Sequence, residues 1–200
     1  MKILKLIVFI SGAILMSLEI VGSRVLSPYF GNSVFVWSSL ISVFLMSLSF
    51  GYHLGGKLSD KMPEPKILSA IIFGSGVLIF IIPFIQEPVN NAIFDFDLGM
   101  KLSPLIASSI LFLIPSILMG AVSPFAVRMS VKSIETVGNV SGNISAISTI
   151  GNIFGTLFTS FYLIPTIGTK LIINLLGLTL LLTSLLIWLC RQNILNKTRS

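Results

Sequence analysis

Charged side chains make up only 10% of this 200-residue chain, against 54% hydrophobic residues. So few charges cannot cover a water-soluble globule, and a mean hydropathy of +1.00 points to lipid as the solvent. The chain has one cysteine and one histidine, so no intrachain disulfide can close and no Cys/His cluster stands at metal-ligand spacing. No metal and no cofactor is expected. A phosphate loop, the glycine fingerprint of dinucleotide-binding folds, an HExxH pair and a nucleophile elbow are all missing; Gly74-Ser75-Gly76 sits inside an apolar run without the pattern that should follow it. The net charge of +6 would suit nucleic acid, but the basic residues form neither a continuous stripe nor an aromatic stacking platform. They fall between apolar runs, so nucleic acid is not an expected partner.

What the chain has is long apolar segments. A helix crossing ~30 Å of hydrocarbon needs about 20 mainly apolar residues, because backbone groups in lipid must bond within their own segment. Six stretches qualify, at 4–30, 34–58, 67–85, 102–127, 140–165 and 171–190. The fold class expected is therefore all-α, a polytopic membrane helical bundle forming a single domain. The start, Met1-Lys2-Ile3-Leu4-Lys5, also fits a signal peptide, but the run behind it is long, contains Glu19 and lacks a small-residue cleavage site, which favours a retained first span.

Orientation follows from the basic residues. With the N-terminus inside, Lys2, Lys5, Lys57, Lys61, Lys66, Arg128, Lys132, Arg191, Lys197 and Arg199 are cytoplasmic and only Lys101 and Lys170 lie in outer loops. The positive-inside rule then predicts an integral cell membrane protein with both termini in the cytoplasm. The longest loop, 86–101, faces outward, and its Ile93, Phe94 and Phe96 suggest a segment resting on the membrane surface.

Glycine pairs spaced by four, Gly51 with Gly55, Gly138 with Gly142 and Gly151 with Gly155, put small side chains on one helix face and let backbones approach. Packing within one bundle is favoured over a dimer seam, although a homo-oligomer stays open. The fifth stretch is the least apolar, and its Ser145, Ser148, Thr149, Asn152 and Thr156 would be costly against lipid, so this face should lie against other helices. Pro28, Pro83, Pro115 and Pro124 lie within or at the ends of spans and can kink them.

Charges inside spans are few and informative. Glu19 stands 11 residues before the end of the first stretch, about 16 Å along a helix rising 1.5 Å per residue, too deep to snorkel. An ionisable group there costs roughly 2.5 kcal/mol or more unless it faces a polar interior. It reads either as a cation or proton site or as a structural group, ion-paired or protonated. Arg24 is a poor partner, because five residues of helix carry it about 140° past a full turn, and it reads as an interfacial anchor. Asn152, at comparable depth, is the better expected neighbour, giving a ligand-site hypothesis of Glu19, Asn152, Thr149 and Ser148. His53 reads as an interfacial or packed residue.

Ordered blocks run through most of the chain: Ser11-Gly12-Ala13, Leu18-Glu19-Ile20-Val21-Gly22-Ser23-Arg24, Pro28-Tyr29-Phe30-Gly31, Val36-Trp37 and Gly51-Tyr52. They continue with Leu54-Gly55-Gly56-Lys57-Leu58-Ser59-Asp60, Ser123-Pro124-Phe125-Ala126-Val127-Arg128, Ser148-Thr149-Ile150-Gly151, Gly155-Thr156 and Leu163-Ile164-Pro165. In these blocks the chain resembles the transmembrane module of the membrane-bound spermidine synthase-like proteins, also described as fused major-facilitator/spermidine synthase. The resemblance implies a bundle like half of a major-facilitator fold. In fused members this module precedes a soluble Rossmann-type aminopropyltransferase-like domain that would bind a decarboxylated S-adenosylmethionine-type donor and a polyamine. Here Ser200 follows the sixth stretch by a few residues, so no such domain and no enzymatic activity are expected of the chain alone. Gly56-Lys57-Leu58-Ser59-Asp60-Lys61 looks like a degenerate form of the major-facilitator loop signature, departing from it at Met62-Pro63-Glu64-Pro65.

The resemblance places Glu19 within a matching block and leaves three functions open. One is binding or transport of a small solute such as a polyamine. The second is a non-transporting anchor or partner, in the lipid bilayer, for a separately encoded soluble spermidine synthase-like protein. The third is a purely structural remnant or assembly factor. Arg24, Gly51, Gly55, Asp60, Pro124, Arg128, Gly151 and Gly155 are expected to be structural or interfacial.

Overall fold

The computed structural model describes residues 2–131 and 133–192; Lys132, Lys197 and Arg199 of the predicted cytoplasmic set lie outside the described residues. The described residues form helices joined by short turns, with no strand among them. The helices are α1 (Lys2–Phe30), α2 (Val34–Lys61), α3 (Pro65–Asp95), α4 (Gly99–Gly120), α5 (Val122–Ser130), α6 (Val137–Phe158), α7 (Ile164–Thr166) and α8 (Thr169–Leu189). A 3-10 turn, Ile134–Thr136, leads into α6, and a π-helical turn, Thr159–Leu163, joins α6 to α7. Taken through these junctions they make six helices long and apolar enough to cross a membrane.

Local chemistry sets the ends. Gly31 closes α1 at φ +74°, a left-handed conformation that favours glycine. The Val36 amide donates to Ser33 Oγ at 3.4 Å to cap α2, and Pro65 opens α3, where its missing N–H is no loss. Pro124 cannot donate to the Gly120 carbonyl four residues back, and the fourth span breaks there, at Ala121 between α4 and α5. The π turn stands just before Pro165, which likewise cannot close an α-helical bond.

The predicted outer loop at 86–101 is not a loop. Helix α3 runs on to Asp95, leaving only three residues before α4. Hydropathy ends near residue 85, but Gln86, Asn90 and Ile93 keep the helical spacing and are buried against the bundle. Thirty-one residues at 1.5 Å each make about 46 Å, so the last turns of α3 extend past the hydrocarbon and can carry Glu87 and Asp95. Ile93 is therefore a bundle residue rather than a surface one, while Phe94 and Phe96 are exposed.

Three close seams hold the bundle. Along α3 and α8, Ser69 Oγ donates to Ser184 O and Ser184 Oγ to Ser69 O, each at 2.9 Å, and Gly76 faces Gly177 further along. The same pair is tied at the far end by Lys170 Nζ donating to Glu87 Oε1 at 2.6 Å. Gly51 and Gly55 pack on α4 at Ile117, Gly120 and Ala121; a Cβ on Gly55 would stand 2.6 Å from Ala121 Cα. Gly151 and Gly155 meet α1 at Phe9 and Ala13, and a Cβ on Gly155 would stand 2.6 Å from the Ala13 carbonyl carbon. Small residues bring these backbones together, and the gain is dispersion contact. Gly138 and Gly142 differ: a Cβ on either meets nothing within 4 Å, so the expected packing inside one bundle does not hold for this pair.

Candidate functional site

The fifth span departs most from expectation. Only 17% of its most apolar window is buried, against 39–56% for the other five spans, although it is the most polar of the six. Gly151 and Gly155 are buried on α1, but Ser145 and Thr149 are exposed and Ser148, Asn152 and Thr156 half-buried. The polar side of α6 thus borders open space instead of another helix. Its glycines take up the contact with α1 and turn the hydroxyl residues beside them toward a groove.

The groove lies between α2 and α6 and is floored by α1. At the end of the bundle carrying Lys61 and Arg128 it widens to a cavity of about 630 Å³. Tyr52, Asp60, Ser123, Ser148, Thr149 and Asn152 are among its lining residues. Deeper in, Ser11, Gly12 and Leu15 of α1 face Tyr52, Ser148 and Asn152 across a small recess. At the opposite end a third recess, about 170 Å³, is lined by Ser23, Arg24 and Ser27 of α1, with Trp37 of α2 and Ser160.

Of the four residues expected to form a ligand site, three come together. Asn152, Ser148 and Thr149 share the wide cavity; Glu19 is not among its lining residues. Asn152 sits against Gly12, where its amide, oriented with the nitrogen toward two carbonyls, donates to Gly12 O at 3.0 Å and to Ser148 O at 3.1 Å. Glu19 is seven residues beyond Gly12 on α1. Seven residues of helix return to within about 20° of the same face and advance about 10 Å. Glu19 therefore lies on the Gly12 side of α1 about two turns further along, lines none of these three recesses, and is not the direct neighbour of Asn152. It is half-buried, and neither ion pair among the described residues includes it. Arg24 is exposed and does not pair with it either.

Asp60 and Arg128 meet at the mouth of the wide cavity, where Arg128 Nε stands 3.3 Å from Asp60 Oδ1 and ties α2 to α5. Both side chains are largely exposed, so the pair is worth at most about 1 kcal/mol and serves to position the mouth. Thr149 Oγ1 donates to Ser145 O at 3.0 Å, which satisfies its hydroxyl proton and leaves its oxygen lone pairs toward the cavity. The wide cavity thus presents hydroxyl and amide oxygens that can accept hydrogen bonds, with the Asp60 carboxylate at its mouth.

Sequence reasoning missed Tyr52 and Ser123. Tyr52 follows Gly51 and Ser123 precedes Pro124. In each case a polar side chain adjoins a residue that permits close approach or breaks a helix, a signal that could have flagged both.

No family model matches the chain. No solved structure matches it. A curated protein does. The chain is similar to polyamine aminopropyltransferase 2 of Aquifex aeolicus, with 27% identity over 184 residues. The alignment takes in 92% of this chain but 35% of the relative, so the chain spans about a third of that protein's length.

Proposed function

We propose that this six-helix module binds a small organic polycation of the polyamine class in the groove, with Glu19 as its central charge and Asn152, Ser148 and Thr149 as neutral acceptors. The observation that supports the reading is the gathering of Asn152, Ser148, Thr149 and Asp60 around one wide cavity. Glu19 stands about two helical turns from the Asn152 cluster, and Asp60 lies at the mouth. A point ion would use one of these positions; an extended chain of ammonium groups uses several at once. The similarity to a polyamine aminopropyltransferase supports the same solute class. In this reading aminopropyl transfer itself is not the work of these helices. Six alternating spans with a groove on one side would correspond to half of a major-facilitator transporter, and movement of the bound solute across the membrane would use the same groove.

Purified protein in nanodiscs is expected to gain thermal stability with rising spermidine, less with putrescine, and least with sodium at matched ionic strength. Equal shifts for all three at matched ionic strength would remove the reading. They would leave the alternative, an anchor for a spermidine synthase-like enzyme, which the similarity to a polyamine aminopropyltransferase supports.

The basic end of the bundle, with Lys61 and Arg128, belongs in the cytoplasm in this proposal, so the wide cavity opens inward. Single cysteines in a Cys190→Ser background test it. Met100→Cys, at a position 81% exposed at the opposite end, should react with an impermeant thiol reagent in intact cells. Lys61→Cys should react only after permeabilisation. The reverse pattern would overturn the orientation.

A further inference from the structure

At the end of the bundle opposite Lys61 and Arg128 the chain places Arg24, Lys101 and Lys170. Lys170 donates to Glu87, and Lys101 Nζ stands 5.9 Å from the centre of the Phe35 ring. Arg24 is exposed, belongs to neither ion pair and lies over no aromatic ring among the described residues. In the proposed orientation this end is the outer one, where the positive-inside rule disfavours a basic residue. Arg24 stands six residues before the end of α1, about 9 Å along the helix, so its side chain reaches outward to the level of lipid headgroups. A cation placed against that rule and left unpaired calls for an anion.

The recess of about 170 Å³ around Arg24 gathers donors that have nothing to donate to. Ser23 and Ser27 share its face of α1, the chain turns back at Gly31, and Asn32 and Trp37 follow. Trp37 Nε1 donates to Asn32 Oδ1 at 3.1 Å. Indole is a donor only, so this bond fixes which way the Asn32 amide lies, and both amide N–H groups are left without a partner among the described residues. From the α6 side, the π-helical turn Thr159–Leu163 brings Ser160 to the recess. The Ser23 hydroxyl is already donated to the Ile20 carbonyl, whereas those of Ser27 and Ser160 make no hydrogen bond among the described residues and each has a proton to give. No carboxylate is among the described lining residues. Glu19, the single carboxylate on α1, is five residues back and about 140° round the helix.

We propose that this recess binds a phosphate group, the Arg24 guanidinium donating to two of its oxygens and the Asn32 amide and the Ser27 and Ser160 hydroxyls to the rest. A planar guanidinium matches two phosphate oxygens at once. The other donors come from the α1–α2 turn, from α1 and from the π turn, a spread that suits a tetrahedral oxyanion better than a flat carboxylate. Two sources carry the same group: the phosphodiester of an outer-leaflet phospholipid, which can enter through the open side of the groove, and free inorganic phosphate. The recess shares no lining residue with the wide cavity, so the proposal stands or falls separately from the polycation reading.

The test compares wild type with Arg24→Gln and Asn32→Asp in maltoside micelles, which contain no phosphate. Both positions are exposed, so both variants should fold. The aspartate still accepts from Trp37 but sets a carboxylate where the amide donors were. If the free anion is the occupant, inorganic phosphate should raise the melting temperature of wild type saturably, beyond chloride at equal ionic strength. If the lipid is the occupant, phosphatidylglycerol added to the same micelles should raise it beyond a phosphate-free glycolipid and stay bound in native mass spectrometry. In the arm where wild type responds, each variant should bind about tenfold more weakly or worse, because a charge-assisted contact is lost or opposed. A general salt effect on surface hydration would act on all three proteins alike. No response of wild type in either arm, or a response that survives undiminished in either variant, would overturn the proposal.

Discussion

Gly151→Leu should reduce the yield of folded, monodisperse protein to a small fraction of wild type and lower the thermal stability of what survives. A Cβ at this position would stand 3.0 Å from the carbonyl carbon of Phe9 and 3.1 Å from its Cα. These are backbone atoms, so no side chain can rotate aside, and α1 and α6 must separate along their length. Overpacking of a close-packed contact costs about 1–3 kcal/mol when neighbours can adjust, and here they cannot without disturbing the next contacts. One turn further, Ser17 Oγ donates to Ala13 O at 2.7 Å and to Gly155 O at 3.2 Å, and Thr159 Oγ1 donates to Ser17 Oγ at 2.7 Å. That buried chain joins the same two helices and is lost with them. Because α6 has little other packing, this seam is most of what holds the fifth span. Gly142→Leu, on the same helix, should leave the yield unchanged. Normal yield and melting temperature for Gly151→Leu would mean that α6 does not meet α1 in this register.

How much of this was legible in the sequence differed from residue to residue. The six spans were readable because lipid imposes a length and a hydropathy on any helix that crosses it. Their ends were not. The continuation of α3 through Gln86, Asn90 and Ile93 depends on burial against neighbouring helices, which mean hydropathy cannot register. Gly151 and Gly155 read as a packing face, since small residues four apart have few other uses in a membrane helix, and both meet the α1 backbone. The polar residues beside them, Ser145, Ser148, Thr149, Asn152 and Thr156, were expected to be covered as well. That inference treated the helix as having one polar face, whereas Gly151 and Ser148 lie about 60° apart, enough to put one against α1 and the other on an open groove. Depth along the chain suggested that Glu19 and Asn152 are neighbours. Depth alone omits which residue of α1 each part of α6 touches, and the contact of Asn152 with Gly12 moves Glu19 two turns away. The pairing of Asp60 with Arg128 had no local signal, because it joins helices far apart in sequence.

The open groove gives the polycation reading a single weak point. Glu19 is half-buried on the Gly12 side of α1, takes part in neither ion pair among the described residues, and lies at a depth where a carboxyl is costly unless it has a use. Glutamine is nearly isosteric and keeps hydrogen-bonding capacity while removing the negative charge, so Glu19→Gln should fold, insert and melt close to wild type in the absence of solute. Attraction between an ammonium group and a carboxylate is strengthened where water is scarce, and losing it should weaken polycation binding at least tenfold, about 1.4 kcal/mol. A lost structural partner would act differently, shifting the unliganded melting temperature and leaving the response to solute alone. The direct measurement is a titration of spermidine into wild-type and Glu19→Gln protein in nanodiscs at constant ionic strength, followed by thermal shift and by isothermal calorimetry. The account predicts saturable binding to wild type, tenfold or more weaker binding to Glu19→Gln, and matching melting temperatures without spermidine. Equal affinities in the two proteins, or no saturable binding to wild type, would contradict it.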